Sequence, residues 1–157
     1  MDVQIRSAEA GDAEAVVALM RELAEHDGLS QYMTLTPEEL AELLAAQRFE
    51  VLIATAGDAV VGYASYLMQF APWAAREYLY LDDLYVAKSG RGAGIGSRLM
   101  QAVGELALKR NVDVRWHVEK ENTSAHGFYR SLGAQLRERY SAYWMRDAIR
   151  EQLRAKS

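Results

Sequence analysis

Residues 78–100 read YLYLDDLYVAKSGRGAGIGSRLM, and this stretch decides the fold. Tyr78 to Lys88 is nearly continuous in hydrophobicity apart from Asp82 and Asp83, as in a strand covered on both faces. Ser89 to Gly94 is a glycine-rich loop, after which Ile95, Leu99, Val103 and Leu106 recur on one face of a helix. A strand, loop and helix of this kind leave backbone N–H groups bare at the helix entrance. Glycine lets the backbone approach an anion closely, and the helix dipole favours negative charge. A phosphate group is the expected ligand. The two aspartates need a chemical reason of their own. Alternation along a strand sends their side chains to opposite faces, one toward a cleft and one toward the other layer.

Upstream, Val3 and Ile5 sit in a first strand. Asp12 is placed to cap a helix carrying Ala15, Val16, Leu19, Met20 and Leu23, which ends near His26-Asp27-Gly28. Thr36-Pro37-Glu38-Glu39 opens a second helix with a Thr cap, Pro at the first position and Glu at the third. From Glu50 the period changes to that of strands. Val51 to Ala54 and Ala59 to Ala64 form a hairpin about Gly57-Asp58, extended to Phe70 and broken at Pro72-Trp73.

Downstream, Asp113 to Glu119 alternates as a strand. Asn122-Thr123-Ser124 starts a helix that Gly133 stops. Ala134 to Arg139 and Ala142 to Asp147 are read as a last strand pair before a polar helix or frayed tail. The order β-α-α-β-β-β-α-β-α-β-β predicts an α/β fold, a mixed sheet with helices on both faces, in one domain over residues 1–157.

Composition narrows the partners. Half of the 157 residues are hydrophobic and a quarter charged, ordinary for a globular domain. The chain has no cysteine, which excludes disulfides, cysteine-based zinc sites and cysteine nucleophiles, and fits a reducing cytoplasm. MDVQIRSAEAGD has neither the basic nor the apolar region of a secretory signal, and no apolar run is long enough for a membrane span. A net charge of −4 speaks against nucleic acid and suits a cationic substrate. His26, His117 and His126 lack metal-ligand spacing, so no metal is expected.

The loop itself fits neither a dinucleotide fingerprint nor a Walker loop: Ile95 and Ser97 stand where a third glycine would fall, and no Lys-Ser/Thr pair closes it. Arg91-x-x-Gly94-x-Gly96 at the helix entry, followed by a strand and then Asn122-x-x-Ala125-x-x-Phe128-Tyr129, resembles the GNAT superfamily of acetyl-CoA-dependent N-acetyltransferases. Phe70-Ala71-Pro72-Trp73, Tyr80-Leu81-Asp82-Asp83-Leu84 and Phe128-Tyr129-Arg130-Ser131-Leu132-Gly133-Ala134 resemble its spermidine/spermine (diamine) and thialysine branch.

The resemblance implies a GNAT fold, with a mostly antiparallel sheet splayed around an acetyl-CoA cleft. It implies that Leu84, Tyr85 and Val86 pair with the pantetheine arm. Arg91, Gly92, Ala93, Gly94, Ile95, Gly96 and Ser97 would hold the pyrophosphate, and Asn122 and Ala125, with Tyr129, would complete the groove. Tyr129 is implied as the general acid and Asp82 as the carboxylate on the substrate side. His26, Asp27, Trp73, Trp116 and His117 are candidate substrate contacts, and the branch implies a homodimer.

Amine acetylation needs a neutral amine, a polarised thioester carbonyl and a proton for the departing thiolate, the roles a carboxylate and a phenol can fill. Asn122, Ala125 and Tyr129 share one helix face, where a small residue at 125 leaves room for a ligand chain. The branch tends to be acidic before the Pro-Trp pair and near the last hairpin. Here those places hold Ala71 and Tyr140-Ser141-Ala142-Tyr143, which weakens a second anchor for a long polyamine. A small amine or diamino acid is the expected acceptor. The alternatives are a protein or peptide N-acetyltransferase and a non-catalytic acetyl-CoA sensor.

Overall fold

A computed structural model describes residues 2–139 and 141–156. They fall into two compact units, Met1–His117 and Val118–Ser157. The first holds strands β1 (Val3–Ser7), β2 (Glu50–Ala56), β3 (Ala59–Ala71), β4 (Arg76–Val86) and β5 (Val114–Arg115), with helices α1 (Ala13–His26), α2 (Pro37–Ala45) and α3 (Ile95–Arg110). The second holds α4 (Thr123–Ser131) and α5 (Arg146–Arg154).

Helix starts follow local chemistry. At α2 the Thr36 hydroxyl accepts from the Glu39 amide at 3.2 Å, and the Glu39 carboxylate accepts from the Thr36 amide at 2.9 Å. That reciprocal box stabilises the helix by about 1 kcal/mol. Asp12 precedes α1 as expected but makes no side-chain cap bond to it. Its carboxylate is already committed to two bonds from the Arg6 guanidinium and one from the Glu9 amide, each 2.8 Å.

The sheet runs in chain order, β1-β2-β3-β4-β5, antiparallel except for the parallel β4–β5 pair. On one face α1 and α2 pack Val16, Val17 and Leu40 against Ile53, Tyr63 and Tyr85. Burying each such side chain contributes about 1.5–3 kcal/mol. On the other face lies α3. A Cβ at Gly62 of β3 would stand 3.1 Å from the Tyr85 carbonyl and 3.3 Å from Ile95 and Leu99 side-chain carbons, so only glycine allows this approach.

Two expectations at the C-terminal end are corrected. Of the strand read over Asp113 to Glu119, only Val114–Arg115 pairs, alongside Leu79 and Tyr80. Among the described residues, 134–139 and 141–145 form no strand pair, and α5 begins at Arg146. A two-stranded ribbon needs a third strand or an apolar face to be stable. Among the described residues none beyond His117 is fully buried, and Tyr143, Trp144 and Met145 are exposed. Tyr140 lies outside the described residues.

Helix α4 keeps both of its expected ends. Asn122 Oδ1 accepts from the Ala125 amide at 3.3 Å and the Ser124 hydroxyl at 3.2 Å. At the other end Gly133 has φ +86°, its N–H donates to the Arg130 carbonyl, and the Ala134 N–H donates to the Tyr129 carbonyl. These are the two bonds of a Schellman stop.

Candidate active site

The two aspartates sit at an irregularity in the sheet. Across β3 and β4, Ser65 pairs with Asp83 and Tyr66 with Leu81, so Asp82 is an extra residue on β4. Such a bulge breaks strict alternation. The reading that sent Asp82 and Asp83 to opposite faces is therefore corrected. Asp83 falls opposite Ser65, on the side of Tyr63 and Tyr85, and Asp82, next after Leu81 of the opposite face, lies close enough for its charge to act on both Tyr63 and Asp83. Ser65 is fully buried, and its hydroxyl accepts from the Asp83 amide at 3.1 Å. A hydroxyl there satisfies the donor that the bulge displaces.

The cluster extends from this point. Tyr63 is fully buried and its hydroxyl donates to Asp83 Oδ2 at 3.1 Å. Its ring lies 6.4 Å from that of Tyr85, whose hydroxyl donates to Glu22 on α1 at 3.2 Å. Burial first, then the charges of Asp82 and Asp27, push the Asp83 carboxyl up to about 6, with the Tyr63 bond pulling the other way. Burial also raises the Asp82 carboxyl, although that residue keeps contact with solvent. Burial and the Asp83 charge raise the Tyr63 phenol far above its usual range, so it stays a donor.

Of the expected substrate contacts, Asp27 comes within electrostatic reach of Asp83, with the His26 ring bonded to it at 3.0 Å. His117 meets Tyr80, its Nδ1 lying 2.7 Å from the Tyr80 hydroxyl. Trp116 is half-buried between Arg115 and His117. Trp73 is fully exposed on the turn between β3 and β4. It lies beyond Arg76, about 20 Å along β4 from Asp82, and is not brought to the acidic cluster.

Pairing of β4 with β5 ends at Tyr80 and Arg115, and among the described residues no strand continues along that edge beside Leu84, Tyr85 and Val86. Next comes the glycine loop. Gly92 and Gly94 have φ +83° and +69°, and a Cβ at either would meet nothing within 4 Å. Gly94 supplies no side-chain cap to α3, so the first-turn amides of Ile95, Gly96 and Ser97 have neither a helical acceptor nor a cap. Bare amides, open space and the Arg91 side chain suit a pyrophosphate, and an unpaired strand edge suits an amide-bearing arm. These residues fit acetyl-CoA.

In the second unit, Asn122 spends its carbonyl oxygen on the helix cap, and Ala125 is half-buried. The Tyr129 ring packs 5.4 Å from Phe128, and burial raises its phenol. A phenol so raised stays protonated at neutral pH, as a proton donor must. Among the described residues no group of three or more His, Asp or Glu is placed to hold a metal ion, and no helix is long and apolar enough to cross a membrane.

Glu22, Tyr63 and Ser65 join the acidic cluster without having been singled out from the sequence. One signal was available: Ser65 interrupts an apolar run at a position where a buried hydroxyl needs a partner.

A model of the acetyltransferase (GNAT) family matches residues 17–134. The thialysine N-epsilon-acetyltransferase of Bos taurus is 37% identical over 144 residues, spanning 85% of this chain and 84% of that protein. The spermidine/spermine N(1)-acetyltransferase-like protein 1 of Homo sapiens is 30% identical, spanning 83% of this chain and 20% of that protein. Among solved structures, an integron cassette protein from the mobile metagenome of V. cholerae matches with a TM-score of 0.78 at 28% identity, over 100% of this chain and 99% of that one.

Proposed function

The chain belongs to the acetyltransferase (GNAT) family and is an N-acetyltransferase using acetyl-CoA, and we propose that its acceptor is a primary amine of a small cationic molecule, a diamine, polyamine or diamino acid. One observation carries this reading: at the β4 bulge the charges of Asp82 and Asp27 both act on Asp83. An acidic cluster of this kind favours an ammonium group over a neutral or anionic acceptor.

Acetyl-CoA supplies an activated thioester when bound. Leu84, Tyr85 and Val86 would hold its pantetheine arm through their backbone, Arg91 to Ser97 its pyrophosphate, and Asn122 and Ala125 the rest of its groove. Asp82 faces the amine and takes up its proton, directly or through water. Its raised carboxyl suits that task better than an ordinary one, because a base with a higher pKa holds the proton more strongly. Tyr129 donates a proton to the departing thiolate. His26, Asp27, Trp116 and His117 border the acceptor, and Trp73 serves only if the hairpin tip meets the ligand.

We further propose that both units form one catalytic domain over residues 1–157, working as a homodimer in the cytoplasm. The family match across residues 17–134 supports one domain, and the exposed Tyr143, Trp144 and Met145 support association. The test is release of CoA thiol across a panel of amines. Release that depends on a cationic primary amine supports the reading. Tight acetyl-CoA binding without release for any amine would point to a sensor.

A further inference from the structure

We propose that two buried hydroxyls on β3, those of Ser65 and Tyr63, are positioning residues that decide which of the two adjacent aspartates on β4 meets the amine. Ser65 holds the backbone of Asp83 and Tyr63 holds its carboxylate, which leaves Asp82 to the acceptor. This rests on the reading above in which Asp82 takes up the proton of the amine, and it adds the residues that select Asp82 for that task.

Strand pairing by itself does not separate the two. Ala64 stands opposite Leu84 and Tyr66 opposite Leu81, so Asp82 and Asp83 compete for the one place opposite Ser65. The flanking pairs are held by burial, Tyr66 and Leu81 at one end of the bulge and Tyr63 and Tyr85 at the other. An extra residue between them is therefore required, since removing it would turn one of these pairs to the wrong face. Its position is not. One bulge with Asp82 extra and another with Asp83 extra satisfy the same flanking register. The competing residues carry the same side chain, so neither size nor charge nor strand preference distinguishes them, and the difference must come from the partner strand.

Two bonds from β3 supply that difference. The Ser65 hydroxyl accepts from the Asp83 amide, and the Tyr63 hydroxyl donates to Asp83 Oδ2, each at 3.1 Å. Ser65 is wholly buried, where a hydroxyl left without a partner is costly, so its bond constrains the facing strand. Tyr63 pairs with Tyr85, two places beyond Asp83, and its hydroxyl therefore approaches the bulge from the Leu84 end. The carboxylate nearer that end is the one of Asp83.

The selection has a chemical consequence. Asp83 is half-buried, bonded to a phenol and faced by the charges of Asp82 and Asp27, so it can take an amine proton only by giving up the Tyr63 bond. Asp82 is the exposed member of the pair and can pass a proton on to water after each turnover. Without the two hydroxyls the aspartates become nearly equivalent, and the amine meets either.

Crossed substitutions in the full chain test the proposal. Asp82→Asn and Asp83→Asn are each combined with Ser65→Ala, Tyr63→Phe and Ser65→Cys, the last keeping the volume while losing a strong acceptor. Acetyl transfer to L-thialysine and to 1,5-diaminopentane gives kcat and KM. With Ser65 and Tyr63 in place, Asp82→Asn lowers kcat by about 10²-fold and Asp83→Asn by at least about tenfold less. With Ser65→Ala or Ser65→Cys the two Asn variants come within about threefold of each other, and Tyr63→Phe narrows the gap by less. A purely structural Ser65 lowers kcat alike in every combination and leaves the tenfold gap in place, since independent effects add; that result overturns the proposal. Carbon-13 titration of the aspartate carboxyls needs no acceptor and reports the same selection. The unaltered chain should show one carboxyl titrating well above the other and lost in Asp83→Asn, and Ser65→Ala should bring the two midpoints together. If neither Asn variant changes turnover, Asp82 is not the base; midpoints that converge in Ser65→Ala then leave the positioning role standing, and midpoints that stay apart overturn it as well.

Discussion

The Tyr63 hydroxyl donates to Asp83 Oδ2 at 3.1 Å, and it does so because Asp82 is an extra residue in β4. Without the bulge, Asp83 would alternate to the α3 face, the side of Leu81 and Tyr66. With it, the carboxylate meets a buried phenol on the side of the α1 helix. The arrangement is costly to ionise.

Asp83 titrates near 6 in the folded chain, against about 3.9 unfolded. Between those values the folded state holds more protons, so stability from this group is full below about pH 4 and is lost as pH rises through 6. Asp83→Asn removes that cost. We expect it to raise stability at pH 8 by about 1–2 kcal/mol, after discounting for partial exposure. Thermal melts at pH 3.5 and 8 should show the gain at the higher pH only. A difference of equal size at both would reject the assignment.

Tyr129 is the proposed acid. Tyr129→Phe keeps the ring contact with Phe128 and removes the hydroxyl. Turnover should fall by about 10²-fold or more, while the Kd for acetyl-CoA stays within about twofold, since general-acid loss acts on the chemical step. Unchanged turnover in a stopped-flow or thiol-release assay removes Tyr129 from the mechanism.

Gly94 holds φ +69° at the entrance of α3, a conformation that costs an L-residue about 1–2 kcal/mol. Because a Cβ there meets nothing within 4 Å, Gly94→Ala should fold, with the strain relieved by a shift of the loop. The KM for acetyl-CoA should rise by roughly tenfold with a smaller change in kcat, since about 1.4 kcal/mol of lost binding is tenfold. A KM equal to that of the unaltered chain would separate the loop from cofactor binding.

Two glycines should respond with opposite signs. Gly62→Ala places a Cβ 3.1 Å from the Tyr85 carbonyl, which the sheet ladder cannot move, and should cost about 1–3 kcal/mol. Gly104 lies inside α3 with nothing within 4 Å of its Cβ, so Gly104→Ala should stabilise by about 0.5–1 kcal/mol. Urea melts of both variants test the close approach of α3; a neutral Gly62→Ala would contradict it.

Local chemistry was legible from the residues. The Thr36–Glu39 box, the Gly133 stop and the strand, loop and helix of residues 78–100 each depend on neighbours within a few positions, and each stands as read. The family was legible too, because the Arg91 loop and the Asn122 to Tyr129 segment keep a fixed spacing. The face on which Asp83 lies was not. Side-chain direction in a strand depends on register with a partner, and one inserted residue reverses it. The bulge is set by pairing between Ser65 and Asp83, 18 positions apart, which no alternation within β4 reveals. The terminal strand pair failed for a related reason: alternation in 134–147 marks a strand only where a sheet or apolar layer receives it. Sequence alone determined what the helices and loops are made of and which cofactor they suit. Tertiary pairing decided which carboxylates stand together and how far each is from losing its proton.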